Sequence, residues 1–201
     1  MRRKTFDVIL SAGGAVLVVV LLVAGGLGLW GYNFANSNVH DQLAQQQITF
    51  PPAAAFAHAK AGTEITPSMI GTVSKYAGQP LVTGQQAEVY ANDFIAVHLK
   101  EIGGGKTYAE LSAASQADPS NTKLAGQVAT VFKGTTLRGL LLEAYAFSTF
   151  GEIALVASIA SFVLAGIMLL LTLLGVIHLR RVPEDQEFPK VHQAEKVLET
   201  V

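Results

Sequence analysis

The stretch of this sequence closest to a chemical motif is Gly103-Gly104-Gly105-Lys106-Thr107. Glycine amides followed by Lys and Thr are what a phosphate loop uses to hold an anion. The full pattern also needs an earlier glycine at a fixed distance and a strand ahead of it. That glycine is absent, and the preceding residues read as helix. A turn between two helices is therefore expected. His98 and Glu101 lie three apart with Asp93 nearby, a spacing that lets two side chains share a metal ion. Such pairs recur by chance, and a structural metal site usually takes about four ligands. His98 also falls on an apolar stripe, so a hydrogen-bonded boundary histidine is expected. His40 and His58 stand alone, and His178 sits beside Arg180 and Arg181. Arg138, Glu143 and Glu152 frame the mostly apolar stretch 137–150 and are expected on the water-facing side of an interfacial helix. No catalytic, cofactor-binding or metal-ligating residue is assigned, and no cofactor is expected.

Composition removes further chemistry. The chain of 201 residues has no cysteine, which excludes thiolate catalysis, iron–sulfur clusters and Cys-ligated zinc. Its formal net charge is −1, with no basic stripe, so nucleic acid is not an expected partner.

The elements that must position these residues are dominated by two apolar runs, 8–32 and 153–179. Each exceeds the roughly 20 apolar residues that span a bilayer. The expected fold is an all-α membrane protein with two transmembrane helices flanking an extracytoplasmic helical domain, 33–136. The remaining segments are an N-terminus at 1–7, an interfacial helix at 137–152 and a tail at 180–201. Arg2, Arg3 and Lys4 precede the first run, and Arg180 and Arg181 follow the second, whereas 33–58 contains no Lys or Arg. The positive-inside rule places both termini in the cytoplasm and the domain between the runs outside. Trp30, Tyr32, Tyr145, Phe147 and Phe150 suit an outer aromatic belt. The first run is longer than the roughly 7–15 apolar residues of a secretory signal, so an uncleaved anchor is expected.

Between the runs the pattern is helical. Asn38 is a candidate cap for 39–47, and Pro51-Pro52 stops that helix. The Ala-rich 53–63 is a connector, and Thr66-Pro67 starts a helix ending near Gly78. Thr83 caps a helix to about Ile102, with Ala87, Tyr90, Ala91, Phe94, His98 and Ile102 on one face. Thr107 and Glu110 match a capping box. Asp118-Pro119 opens a helix with Leu124, Val128, Val131 and Phe132 on one stripe. The tail 191–201 forms at most one short helix, which alone is marginal in water.

The most specific signal lies in the runs themselves. Gly151, Ala154, Ser158, Ser161, Ala165, Met168, Thr172 and Gly175 follow a repeated four–three spacing in the second. Ala24, Gly28, Gly31 and Ala35 do likewise in the first. Small faces let helix backbones approach closely in lipid. The bilayer is one expected partner; another membrane protein, or a second copy bound through these faces, is the other. No ionisable residue lies centrally in either run, which argues against an ion pathway.

Residues 1–7, the run Phe94-Ile95-Ala96-Val97-His98-Leu99 through Gly103–Tyr108, and Thr136–Leu142 resemble uncharacterised two-span membrane proteins of actinobacteria. The resemblance covers nearly the whole chain and implies a plasma-membrane location without an established activity or site. Some members of that family carry an aromatic-ring-opening dioxygenase label. A facial-triad iron centre for that chemistry needs two histidines and a carboxylate converging, and only His98 with Glu101 is locally suggestive. The expected function is that of a non-enzymatic accessory, scaffold or assembly subunit. A ligand-binding sensor signalling through a partner comes second, and a metal-dependent enzyme third.

Overall fold

The two apolar runs are parts of much longer helices. In the computed structural model, which describes residues 3–181, α1 (Arg3–Gln45) and α6 (Thr122–Arg181) are both unbroken. Met1, Arg2 and residues 182–201 of the tail expected at 180–201 lie outside the described residues. Each long helix is long and apolar enough to cross a membrane, and the apolar window of each is only 11% buried. A core helix of a water-soluble protein would have most of that surface covered.

The chain divides into two compact units, Met1–Leu29 with Val156–Val201, and Trp30–Leu155. In the first, the N-terminal part of α1 and the C-terminal part of α6 bury Val18, Ser158 and Ala165. In the second, the remainders of α1 and α6 carry five short elements: α2 (Ala53–Phe56), 3₁₀ turns at Pro67–Met69 and Val73–Tyr76, α3 (Gly84–Val89) running through a π-helical segment (Tyr90–Ile95) into α4 (Ala96–Ile102), and α5 (Tyr108–Ala117). The core of this unit gathers Phe50, Met69, Val73, Leu81, Ala87 and Leu141. Burying each of the larger ones, Phe50, Met69, Val73, Leu81 and Leu141, contributes about 1.5–3 kcal/mol. The described residues contain no strand, only one antiparallel bridge between Thr49 and Pro80.

Several boundaries differ from those expected. The stretch 137–152 is no separate interfacial helix; it is the middle of α6, and Leu141 on it is 2% exposed in the core of the second unit. Leu141 and Leu142 pack on that core, whereas Leu140, Phe147 and Phe150 of the same stretch stay exposed. Asn38 caps nothing: α1 passes through it, and its amide donates to the Phe34 carbonyl at 3.0 Å. Thr66-Pro67 begins only a 3₁₀ turn, because Gly71 follows at φ +90°, a backbone state that ends helix and favours glycine. The opening of α6 falls at Asn121 rather than at Asp118-Pro119; the Asn121 carboxamide accepts from the Leu124 amide at 3.0 Å.

The rod over 84–102 starts as expected. The Thr83 hydroxyl accepts from the Gln86 amide, and the Gln86 side chain accepts back from the Thr83 amide at 3.0 Å. Its interior is π-helical, and that changes the face. The buried positions run Ala87, Ala91, Ile95, always four apart. A steady four-residue spacing keeps one face only where the helix is wound more loosely than 3.6 residues per turn, as a π segment is. Ile102, expected on that face, is exposed.

Candidate functional site

In the first unit, small residues form the face that α1 and α6 share. Ser158 is 1% exposed, and its hydroxyl donates to the Gly25 carbonyl at 2.6 Å. Ala165 is buried one turn pair further along, and Ser161, Met168, Thr172 and Gly175 are half-buried on the same side. A methyl group added at Gly14 would stand 2.5 Å from the Thr172 hydroxyl, and one at Gly25 would stand 2.8 Å from the Phe162 ring. At Gly175 it would meet the Ser11 hydroxyl at 3.0 Å. The pairs advance along α1 as they retreat along α6, so the helices are antiparallel. Ile159, Val163 and Ile167 are exposed on the opposite side.

The face of the first run needs one correction. Ala24 is exposed, and its neighbour Gly25 is the buried position. The inward residues are Ser11, Gly14, Val18, Leu21, Gly25 and Gly28, spaced three and four apart. Ala24 falls one residue early, about 100° round the helix. Ser11, Gly14 and Gly25 were missed because glycine comes in doublets, Gly13-Gly14 and Gly25-Gly26, which leave the register open. The three–four spacing through Val18 and Leu21 was the available signal.

The same pairing occurs inside the second unit. Ala35 is 5% exposed, and a methyl group on the buried Gly151 would approach its Cβ to 2.9 Å. Gly31 faces Ala154, with 4.0 Å available. Trp30 stacks on Phe34 at 5.5 Å between ring centres.

The residues singled out for chemistry are placed apart and mostly committed. Gly104 and Gly105 both have positive φ. The Gly105 amide donates to the Lys100 carbonyl at 2.8 Å and the Gly104 amide to the Glu101 carbonyl at 3.1 Å. This is a Schellman end to α4. The amides of Gly103 and Lys106 also donate within the chain, to Leu99 and Gly103. All four amides are thus engaged, and the loop terminates a helix. His98 Nδ1 lies 2.8 Å from the Phe94 carbonyl, to which it donates. His40 pairs locally with Asp41 at 3.3 Å. No group of three or more His, Cys, Asp or Glu converges among the described residues.

Arg138 is half-buried rather than water-facing, and its guanidinium donates to Asn92 in the π segment at 2.7 Å. Glu152 accepts from Gln85. Burial, with the Glu64 charge second, raises the Tyr90 pKa above its ordinary value. The Thr107 amide and hydroxyl hold the Glu110 carboxyl below its ordinary value, with Lys106 adding to the same direction. No family model, curated protein or solved structure matches this chain.

Proposed function

We propose that this chain is a non-enzymatic two-span protein of the plasma membrane, an accessory or scaffold subunit that presents its helical second unit outside the cell. Both termini lie in the cytoplasm, as the basic residues at 2–4 and at 180–181 favour. The resemblance to two-span actinobacterial membrane proteins agrees with this placement. The observation that carries the reading is the division of labour on α6. Its small residues pair with α1, and its large ones, such as Leu164 and Leu170, stay uncovered over an apolar window of bilayer length. Lipid is the solvent that tolerates that surface.

The test has two arms. The chain has no native cysteine, so single substitutions report cleanly. Ser120→Cys should react with a membrane-impermeant thiol reagent in intact cells, and Thr5→Cys should react only after lysis. The full chain, purified in mild detergent, should carry a second membrane protein at fixed stoichiometry. The reverse labelling pattern overturns the topology, and recovery as a lone monomer overturns the scaffold reading.

A further inference from the structure

The second unit has an open groove on the pair of helices whose other side its own chain covers. On the covered side, the rod over 84–102 lies along α6. Gly84 packs against Ser148 at one end and Leu99 against Gly134 at the other. Between α1 and α6 there is in addition a cavity of about 450 Å³, within the range of a binding site. Its floor is closed by the buried Val39, Leu43 and Leu141. Its walls are Phe34, Leu140 and Phe147, which are 50%, 59% and 40% exposed.

We propose that this groove is the docking site for an amphipathic helix of a partner protein, one that carries a lysine or arginine against Glu143. The inference rests on the scaffold reading and names the partner's recognition element. Three features specify it. The α1 rim is a ridge of Phe34, Asn38 and Gln42, four residues apart and about 12 Å long, with Gln46 just past the end of α1. The α6 rim repeats at Leu140, Ala144 and Phe147, the spacing into which a helix sets its i, i+3/i+4 and i+7 side chains. Glu143 is the one ionisable residue of the lining and has no ion-pair partner among the described residues. A basic side chain supplies the complementary charge.

The carboxamides decide between a helix and a lipid chain. Gln42 and Gln46 make no side-chain hydrogen bond among the described residues, and both line the groove. A hydrocarbon tail would cover them without satisfying them, at a cost. Polar flanks of a partner helix bond to them.

Two measurements on the full chain test this. In the first, partner recovery in mild detergent is compared for wild type, Leu140→Lys, Glu143→Lys and Ile70→Lys. Leu140 and Ile70 are both exposed, so neither change should disturb folding, and Ile70 is outside the groove. The groove variants should lose partner about tenfold, which corresponds to about 1.4 kcal/mol, while Ile70→Lys should match wild type. Equal recovery by all four overturns the groove and leaves the scaffold reading standing; no partner with wild type overturns both. In the second, Leu140→benzoylphenylalanine is irradiated in cells. Attachment to a partner segment with helical apolar spacing and a basic residue supports the proposal. Attachment to lipid alone, to a second copy of this chain, or to nothing overturns it.

Discussion

The two units solve opposite packing problems. In the first, most buried residues are small, as at Gly25, Ser158 and Ala165, with Val18 the larger exception, while most leucines and valines stay exposed. In the second, the largest fully buried side chains are Phe50, Met69 and Leu81. The contrast follows from the solvent each unit calls for. In water, moving a large apolar side chain inside is the main source of stability. In lipid there is no such gain, because the surroundings are as apolar as the core; close backbone approach and hydrogen bonds hold helices together instead. Size therefore sorts in reverse on two stretches of the same two helices.

The sharpest way to break this comparison is to truncate a large residue in each unit. Met69→Ala should cost about 2–5 kcal/mol, through lost transfer energy and the cavity left behind. Leu170→Ala, on a residue 63% exposed, should leave stability nearly unchanged in detergent. Thermal unfolding of the full chain, read separately for the two variants, checks this. A large loss at Leu170 would mean that the exposed surface of α6 is covered by protein.

The reverse experiment adds bulk. Ala165→Leu should cost about 1–3 kcal/mol by overpacking, and Ile167→Leu, on the exposed side, should be close to silent. Equal melting behaviour would reduce the small face to mere composition. A smaller effect is expected at Ser158→Ala, which removes the hydroxyl bonded to the Gly25 carbonyl. Side-chain hydrogen bonds between helices in lipid average about 0.6 kcal/mol, so the shift should be resolvable only beside the Ala165 variant.

What could be read in advance divides along the same line. The apolar runs and the second-run face from Gly151 to Gly175 were legible because each rests on a regular spacing maintained over many turns. The Thr107–Glu110 box was legible because it is local, a matter of four residues. Ala24 was misplaced because two glycine doublets admit two registers, and only the partner helix chooses. Ile102 was misplaced because helical spacing was counted at 3.6 residues per turn through a π segment. The interfacial helix was wrong for a third reason: Leu141 and Leu142 look lipid-facing in isolation, and only the tertiary fold brings the core of the second unit against them. The groove could not be read at all, since its two rims are about a hundred residues apart in the chain.

The smallest expected effect concerns a site in the second unit that relies on neither packing nor lipid. Glu110 closes the capping box of α5, accepting from the Thr107 amide at 2.7 Å and the Thr107 hydroxyl at 2.8 Å. These bonds, with Lys106, hold its pKa below the ordinary value of 4.5. A carboxylate depressed in the folded state contributes stability that is present above its unfolded pKa and is lost as pH falls through the folded one. Neutral and mildly acidic solution should therefore leave the start of α5 intact, and protection should fall only below about pH 4.5. Glu110→Gln keeps an acceptor oxygen but cannot titrate, so its Thr107 amide should exchange at a rate that tracks pH by the intrinsic chemistry alone. Hydrogen exchange at the Thr107 amide, followed from neutral pH downward in both proteins, separates the two cases. An acid-side loss of protection shared by wild type and Glu110→Gln would assign the transition to the unit as a whole and take it away from the cap.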